Sequence, residues 1–211
     1  MKKIEVPLGK RAFDIVVSAF LLISLSPFIA LILIAMAIES IFIPSSRGSF
    51  LYSQKRISQG EVFTLYKIRI FKEASLENAR NGSGHVHTKK LEHNEENLTY
   101  VGRVLKKVYL DELGQFVNVM KGNMSLVGPR PKTVDDYERL VFAGYRSLTL
   151  LKAGITGYFQ SHKGIKLHLN QEQIDMIYAD FVENNPTWKI IFYDIKILLI
   201  TILTVLRREG I

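Results

Sequence analysis

An uncharged apolar run from Ile15 to Ile38, interrupted midway by Ser26-Pro27, constrains this chain more than any other feature. At a rise of about 1.5 Å per residue, a single helix of that length crosses a hydrocarbon core of about 30 Å. Pro27 argues against a straight span, because proline lacks a backbone donor and breaks the hydrogen-bond ladder in mid-run. Ser24 and Ser26 are placed to satisfy the carbonyls that a kink would free. Cations flank both ends, with Lys2, Lys3, Lys10 and Arg11 before the run and Arg47, Lys55, Arg56, Lys67 and Arg69 after it. Positive charge marks the cytoplasmic side, so this flanking predicts that both ends face the cytoplasm and the segment dips in and returns. A kinked spanning helix remains open from these residues. The run exceeds a signal-peptide core and no small-x-small cleavage site follows Ile38, so it is expected to stay on the mature protein.

A second apolar stretch, from Ile190 to Leu206, carries Asp194 and Lys196 and leaves too few uncharged residues to span. Asp194, Thr201, Thr204 and Arg208 follow near-helical spacing opposite Ile191, Ile195, Leu198, Ile202 and Val205. An amphipathic helix lying on a membrane surface, anchored by Trp188 and Tyr193, fits this pattern, and so does a core-facing helix. The chain of 211 residues suits one domain with a membrane element, and its net charge is +8. No recognition helix, zinc-finger spacing or aromatic-basic RNA motif is present, so the charge points to an anionic membrane and phosphorylated substrates, not to nucleic acid. There is no cysteine, which excludes disulfides, thiolate catalysis and Cys-ligated zinc.

Between these stretches, Phe50–Tyr52 and Val62–Arg69 read as strands separated by a turn at Ser58-Gln59-Gly60. Gln54, Lys55 and Arg56 fall just before the turn, and Lys67 and Arg69 alternate outward. These cations could hold a nucleotide diphosphate or simply form a solvated strand face. Residues 73–98 are polar and read as a loop, and His85, His87 and His93 within them lack metal-ligand spacing. From Leu98 to Met124 the pattern is helical, broken near Gly102 and Gly114. Leu110, Leu113, Val117, Met120 and Met124 are expected to be buried, beside a polar stripe of Asp111, Gln115, Asn118 and Gly122. Asp111 and Glu112 share a helix start but point about 100° apart, which permits separate roles. In isolation the pair is better explained by helix-dipole complementation. Gly128-Pro129-Arg130-Pro131 adds a guanidinium on a backbone fixed by two prolines, which lowers the entropy lost on binding an anion. Lys152-Ala153-Gly154-Ile155-Thr156-Gly157 forms a basic glycine loop suited to close approach of a ligand.

Taken in order, these motifs resemble the monotopic phosphoglycosyl transferases, also called bacterial sugar transferases. The likeness covers nearly the whole chain. It runs through Lys10-Arg11-Ala12-Phe13-Asp14, the Ser26-Pro27 break, Gln54-Lys55-Arg56 and Phe63 to Arg69. It continues through Leu110-Asp111-Glu112-Leu113, Asn118-Val119, Lys121-Gly122, Met124 to Pro131, and Gly154-Ile155-Thr156-Gly157. The resemblance implies transfer of a sugar 1-phosphate from a UDP-sugar to polyprenol (undecaprenyl) phosphate with release of UMP, through a phosphosugar held covalently on an aspartate. It implies a re-entrant first helix at the bacterial inner membrane, with the catalytic part facing the cytoplasm. Asp111 would be nucleophile and Mg²⁺ ligand, and Glu112 would assist the metal or activate the acceptor. Arg130, Lys106, Arg56, Lys67 and Arg69 would contact substrate phosphates. Departures are Gly114 for proline, Lys106 for arginine, Asn123 for aspartate, and Ile68 and Ile70-Phe71 in the strand motif.

The resulting expectation is an α+β, mainly helical monotopic protein with a re-entrant helix-break-helix, a small β-hairpin and a C-terminal interfacial helix. Residues 1–45 form the anchor, 46–185 the catalytic core, and 186–211 the last helix of the same unit. Expected partners are a UDP-sugar, polyprenol phosphate and membrane lipid. The sugar, the glycan it enters and homo-oligomer formation are not encoded in any local motif. The rival reading is a bitopic membrane scaffold with a basic partner-binding or lipid-binding domain.

Overall fold

The computed structural model describes residues 3–83, 91–161 and 169–206. Lys2, His85, His87 and Arg208, named above, lie outside the described residues. The apolar run forms helices α1 (Leu8–Ser24) and α2 (Ser26–Phe42), bent by 55° at the break. Pro27 has no N–H to donate to Ile23, and the Ser26 hydroxyl donates to that carbonyl instead at 2.7 Å. Among the described residues no single helix is long and apolar enough to cross a membrane. Only the bent pair together has that length and composition.

A hairpin follows, with β1 (Leu51–Ser58) and β2 (Glu61–Ile68) joined by Gln59-Gly60. Both turn residues take positive φ, 54° and 79°, which is the backbone that matches strand twist in a two-residue turn. The first strand runs on past Tyr52, so Gln54, Lys55 and Arg56, just before the turn, lie within β1. Next come α3 (Glu73–Ser83), α4 (Tyr100–Lys107), a 3₁₀ turn at Leu110–Gly114, and α5 (Gln115–Met120). The expected loop at 73–98 is thus partly helical, because Leu76, 1% exposed, gives α3 an apolar anchor. Gly102 does not break the helix there. It lies buried inside α4, where a Cβ would come 2.2 Å from the Ile70 carbonyl oxygen. The break falls at Tyr109, which adopts a left-handed φ of 57°.

The remaining elements are β3 (Ser125–Val127), α6 (Val134–Phe142), α7 (Ser147–Leu150), β4 (Gly154–Thr156), α8 (Tyr158–Ser161), α9 (Gln171–Asn184) and α10 (Thr187–Leu206). The chain divides into two compact units interleaved along the sequence. One comprises Met1–Phe20, Gln54–Leu65 and Gln115–Ile211; the other comprises Leu21–Ser53 and Tyr66–Gly114.

In the first unit, Phe63, Leu65, Val119, Met124, Leu126, Tyr178, Ile190 and Ile197 form the centre of the core. Strands β3 and β4 pair in parallel, with Ser125 opposite Gly154 and Val127 opposite Thr156. A Cβ on Gly154 would sit 2.1 Å from the Gly128 nitrogen, so this glycine admits the neighbouring strand, not a ligand. Helix α10 buries Ile190, Asp194, Ile197 and Thr204, while Trp188, Phe192, Leu199, Ile202 and Leu203 are exposed. The polar row thus faces the core and the apolar row faces out, the reverse of an ordinary soluble helix. Tyr193 is no surface anchor. It packs against Phe181, with ring centroids 4.5 Å apart, and stacks with Tyr158 and Tyr178.

The second unit buries Met36, Ile68, Ile70, Phe71, Leu76, Leu98, Leu105 and Leu113. Around α5, in the first unit, the expected faces are inverted. Gln115 and Asn118 are buried, whereas Val117 and Met120 are exposed. Several flanking cations also have internal partners. Lys10 is buried among carboxylates, Arg11 donates to the Val119 and Met120 carbonyls that end α5, and Arg69 is 2% exposed. The charge argument for topology therefore loses those three residues.

Candidate active site

Asp111 and Glu112 project from the 3₁₀ turn that closes the second unit. Lys67, near the end of β2, reaches both acids. Its ammonium lies 2.8 Å from Asp111 Oδ2 and 3.0 Å from Glu112 Oε1. Gly114 makes this approach possible. A Cβ there would lie 2.7 Å from the Tyr66 carbonyl oxygen and 3.0 Å from the Lys67 nitrogen, so the turn lies flush on the strand that carries Lys67. The departure from proline thus accompanies tight packing, not a loosened helix start.

Asp111 is 6% exposed. Burial pushes its carboxyl above the ordinary aspartate range; Lys67 opposes that rise, and Glu112 and Glu92 add to it. Two carboxylates converging on one cationic point are also a donor set suited to Mg²⁺, which takes one or two carboxylates and completes its shell with water and phosphate oxygens. Among the described residues no cluster of three or more metal-ligating side chains occurs. Asp111 and Glu112 are the two acids on this turn, and both are paired with Lys67.

Residues 6–208 match the family model described as bacterial sugar transferase. The chain belongs to the bacterial sugar transferase family. It is 37% identical over 172 residues to the galactosyl transferase CpsE of Streptococcus agalactiae, covering 77% of this chain and 36% of that protein. It is 34% identical over 204 residues to the uncharacterized sugar transferase EpsL of Bacillus subtilis, covering 96% and 89%. It is 32% identical over 197 residues to the UDP-glucose:undecaprenyl-phosphate glucose-1-phosphate transferase of Escherichia coli, covering 92% and 39%. The chain therefore spans little more than a third of two of these relatives and most of the third.

The structure places the other sequence-derived candidates as follows. Lys106 lies on α4, which packs against the dyad turn, and it donates to the Glu92 carbonyl. Arg69 does not alternate outward: it is buried and donates to the carbonyls of Ser46, Ser49 and Phe71. That geometry ties the strand end to the segment after α2 and leaves it no free face for a phosphate. Arg56 belongs to the first unit, where its Nη2 donates to Gln54 Oε1 at 2.7 Å. Arg130 is exposed in the same unit, on a segment fixed where Gly128 N donates to Thr156 O at 2.8 Å and Gly154 N to Pro129 O at 2.9 Å. His93 is exposed and belongs to no metal cluster among the described residues.

The sequence did not disclose the roles of three residues, Asn118, Lys10 and Asp14. Asn118, fully buried, donates to the Thr64 carbonyl at 2.7 Å and anchors α5 on β2. Lys10 and Asp14 read as a basic flank and a motif residue, yet both are buried in one charge network. An acid four residues after a lysine was the available signal, since i,i+4 pairing is a helix property.

Proposed function

We propose that this chain transfers a sugar 1-phosphate from a UDP-sugar to polyprenol phosphate at the cytoplasmic face of a bacterial inner membrane, releasing UMP. The observation that carries the reading is the buried Asp111 carboxyl beside Glu112, both held by Lys67. Family membership and the donor and acceptor classes of the Escherichia coli relative support it.

In the proposed first step, an Asp111 carboxylate oxygen attacks the sugar-bearing phosphorus of the UDP-sugar. The bond from that phosphorus to the bridging oxygen breaks, and UMP leaves with the electron pair. In the second step an oxygen of polyprenol phosphate attacks the same phosphorus and expels the Asp111 carboxylate. A carboxylate nucleophile thereby divides one difficult transfer into two. Lys67 orients both acids and favours the ionised form of Asp111. Glu112 receives the acceptor's proton or helps hold a metal. Asp111 and Glu112 would hold Mg²⁺, which when bound neutralises the diphosphate oxygens and the leaving UMP. Arg130 and Lys106 are proposed to contact substrate phosphates.

The outward apolar rows of α1, α2 and α10 support the membrane reading, including Phe20, Ile23, Phe28, Leu31, Trp188, Phe192 and Leu199, each more than half exposed. Apolar rows this extensive suit a lipid environment. Cysteines introduced at positions 3 and 49 should both react with an impermeant thiol reagent from the cytoplasmic side only; labelling from opposite sides would overturn the re-entrant topology. The activity is tested by UMP release from a panel of UDP-sugars in vesicles containing undecaprenyl phosphate. Absence of release with every donor would overturn the reading.

Lys67→Met gives a pH test. Burial already raises the Asp111 carboxyl, and Lys67 is the main group opposing that rise. Without the ammonium the acid ionises only at higher pH. Because the attacking species is the carboxylate, the acid limb of the kcat/KM profile should move to higher pH. An unmoved limb would remove Lys67 from this role.

A further inference from the structure

Helix α2 carries one charged residue, Glu39, and it is 8% exposed. Its carboxylate faces neither lipid nor water. Oε1 accepts from Ser46 Oγ at 2.6 Å and from the Tyr100 amide at 2.8 Å, and Oε2 accepts from the Val101 amide at 2.9 Å. Tyr100 and Val101 open α4. The N-cap Thr99 takes the next amide, Gly102, at 2.9 Å. One carboxylate from α2 thus satisfies two of the four orphan amides at the start of α4, where negative charge is favoured.

Helix α4 ends almost at the catalytic turn. Only Val108 and Tyr109 separate Lys107 from Leu110–Gly114, and Tyr109 holds the left-handed φ of 57°. The link is short and hydrogen-bonded. Tyr109 N donates to Lys106 O, and Glu112 N donates to Tyr109 O, both at 3.3 Å. The other side of α4 is seated on Ile70, whose carbonyl accepts from Thr99 N at 2.9 Å and leaves no space for a Cβ on Gly102. With α4 held at its start and along one side, a shift at its first turn carries directly to Asp111 and Glu112. All of these residues belong to the second unit.

We propose that Glu39 is a positioning residue for the Asp111-Glu112 dyad, coupling the seating of α2 to the geometry of catalysis. This rests on the proposed transferase activity. Its signal in the sequence was the acid that ends the apolar run. A lone carboxylate at the end of an apolar helix must be paired or exposed.

The test compares Glu39→Gln and Glu39→Ala with Glu172→Gln in full-length protein reconstituted in vesicles. Glu172 is the control because it does the same work elsewhere. It accepts from the Arg146 and Ser147 amides at 2.7 and 3.0 Å, at the start of α7. Glu39→Gln keeps size and one acceptor, and should lower kcat for UMP release by about tenfold with KM for the UDP-sugar unchanged. Glu39→Ala should lower kcat by about 100-fold, the scale of a nucleophile displaced by about an ångström. Glu172→Gln should leave kcat as in wild type. Hydrogen exchange should quicken in residues 100–114 of both Glu39 variants and stay unchanged there in Glu172→Gln. Equal kcat losses from Glu39→Gln and Glu172→Gln, or unchanged kcat with unchanged exchange in 100–114, would overturn the proposal. If wild type itself releases no UMP, the activity reading fails, and the exchange comparison alone decides the positioning claim.

Discussion

Asp111→Asn should abolish formation of the sugar-phosphate adduct and lower UMP release by roughly 10⁴-fold or more, the scale on which loss of a nucleophile acts in other enzymes. The replacement is nearly isosteric, so shape is kept. Stability should be kept as well, because burial disfavours the Asp111 charge and a neutral amide removes that cost. Lys67 retains Glu112 as a partner at 3.0 Å. Unchanged thermal unfolding with lost turnover therefore separates chemistry from folding. Intact-mass measurement after mixing with a UDP-sugar should show the added sugar phosphate on wild type and none on the variant. Glu112→Gln should still gain the adduct and fail mainly in its transfer to polyprenol phosphate. An adduct on Asp111→Asn would sink the assignment of the nucleophile, and its migration to Glu112→Gln-sensitive chemistry would move the role to the neighbouring acid.

What the sequence disclosed about this site was the part that depends on local chemistry. Pro27 has no backbone N–H, so the sequence placed a break in the apolar run at Ser26-Pro27, and the two helices part next to it, at Leu25. Gln59-Gly60 likewise announced a tight turn. Asp111 and Glu112 were legible as adjacent acids, but their partner Lys67 is 44 residues away and read as one cation on a strand. Arg69 was misread for the same reason: only tertiary packing brings the carbonyls of Ser46, Ser49 and Phe71 to it. The inverted faces near α5 fall where the chain passes from one unit to the other: Leu113 is buried in the second unit, whereas Gln115 and Asn118 are buried in the first. A single period fitted from Leu110 to Met124 assumes one buried side throughout and so turns Val117 and Met120 inward, whereas the real chain turns Gln115 and Asn118 inward.

Lys10→Met should be the most destabilising of the conservative-volume changes, by about 3–5 kcal/mol, because it removes one partner from a buried charge cluster. Lys10, Asp14 and Asp194 are 3%, 1% and 0% exposed. The Lys10 ammonium lies 3.4 Å from Asp14 Oδ1 and also donates to Asp194 Oδ2. Tyr178 donates to Asp194 Oδ1 at 2.7 Å, and Ser125 donates to Asp14 Oδ2 at 2.8 Å. One lysine thus ties α1 to α10 across 184 residues of sequence and balances two carboxylates that have no access to water. Burial already raises the Asp194 carboxyl, and Lys10 is the chief group holding it down. Its removal raises that folded-state pKa further above the unfolded value. The protonated acid then supports folding only in acid, and that support is lost as pH rises through the folded pKa. The deficit of Lys10→Met relative to wild type should therefore widen from acidic to neutral pH, as read by thermal unfolding in matched detergent. Adding Asp194→Asn to Lys10→Met should restore part of the loss, since it removes a charge left without its cation, and the non-additivity of the pair measures the coupling. Equal unfolding temperatures for Lys10→Met and wild type at neutral pH would show that the cluster does not hold the two helices together.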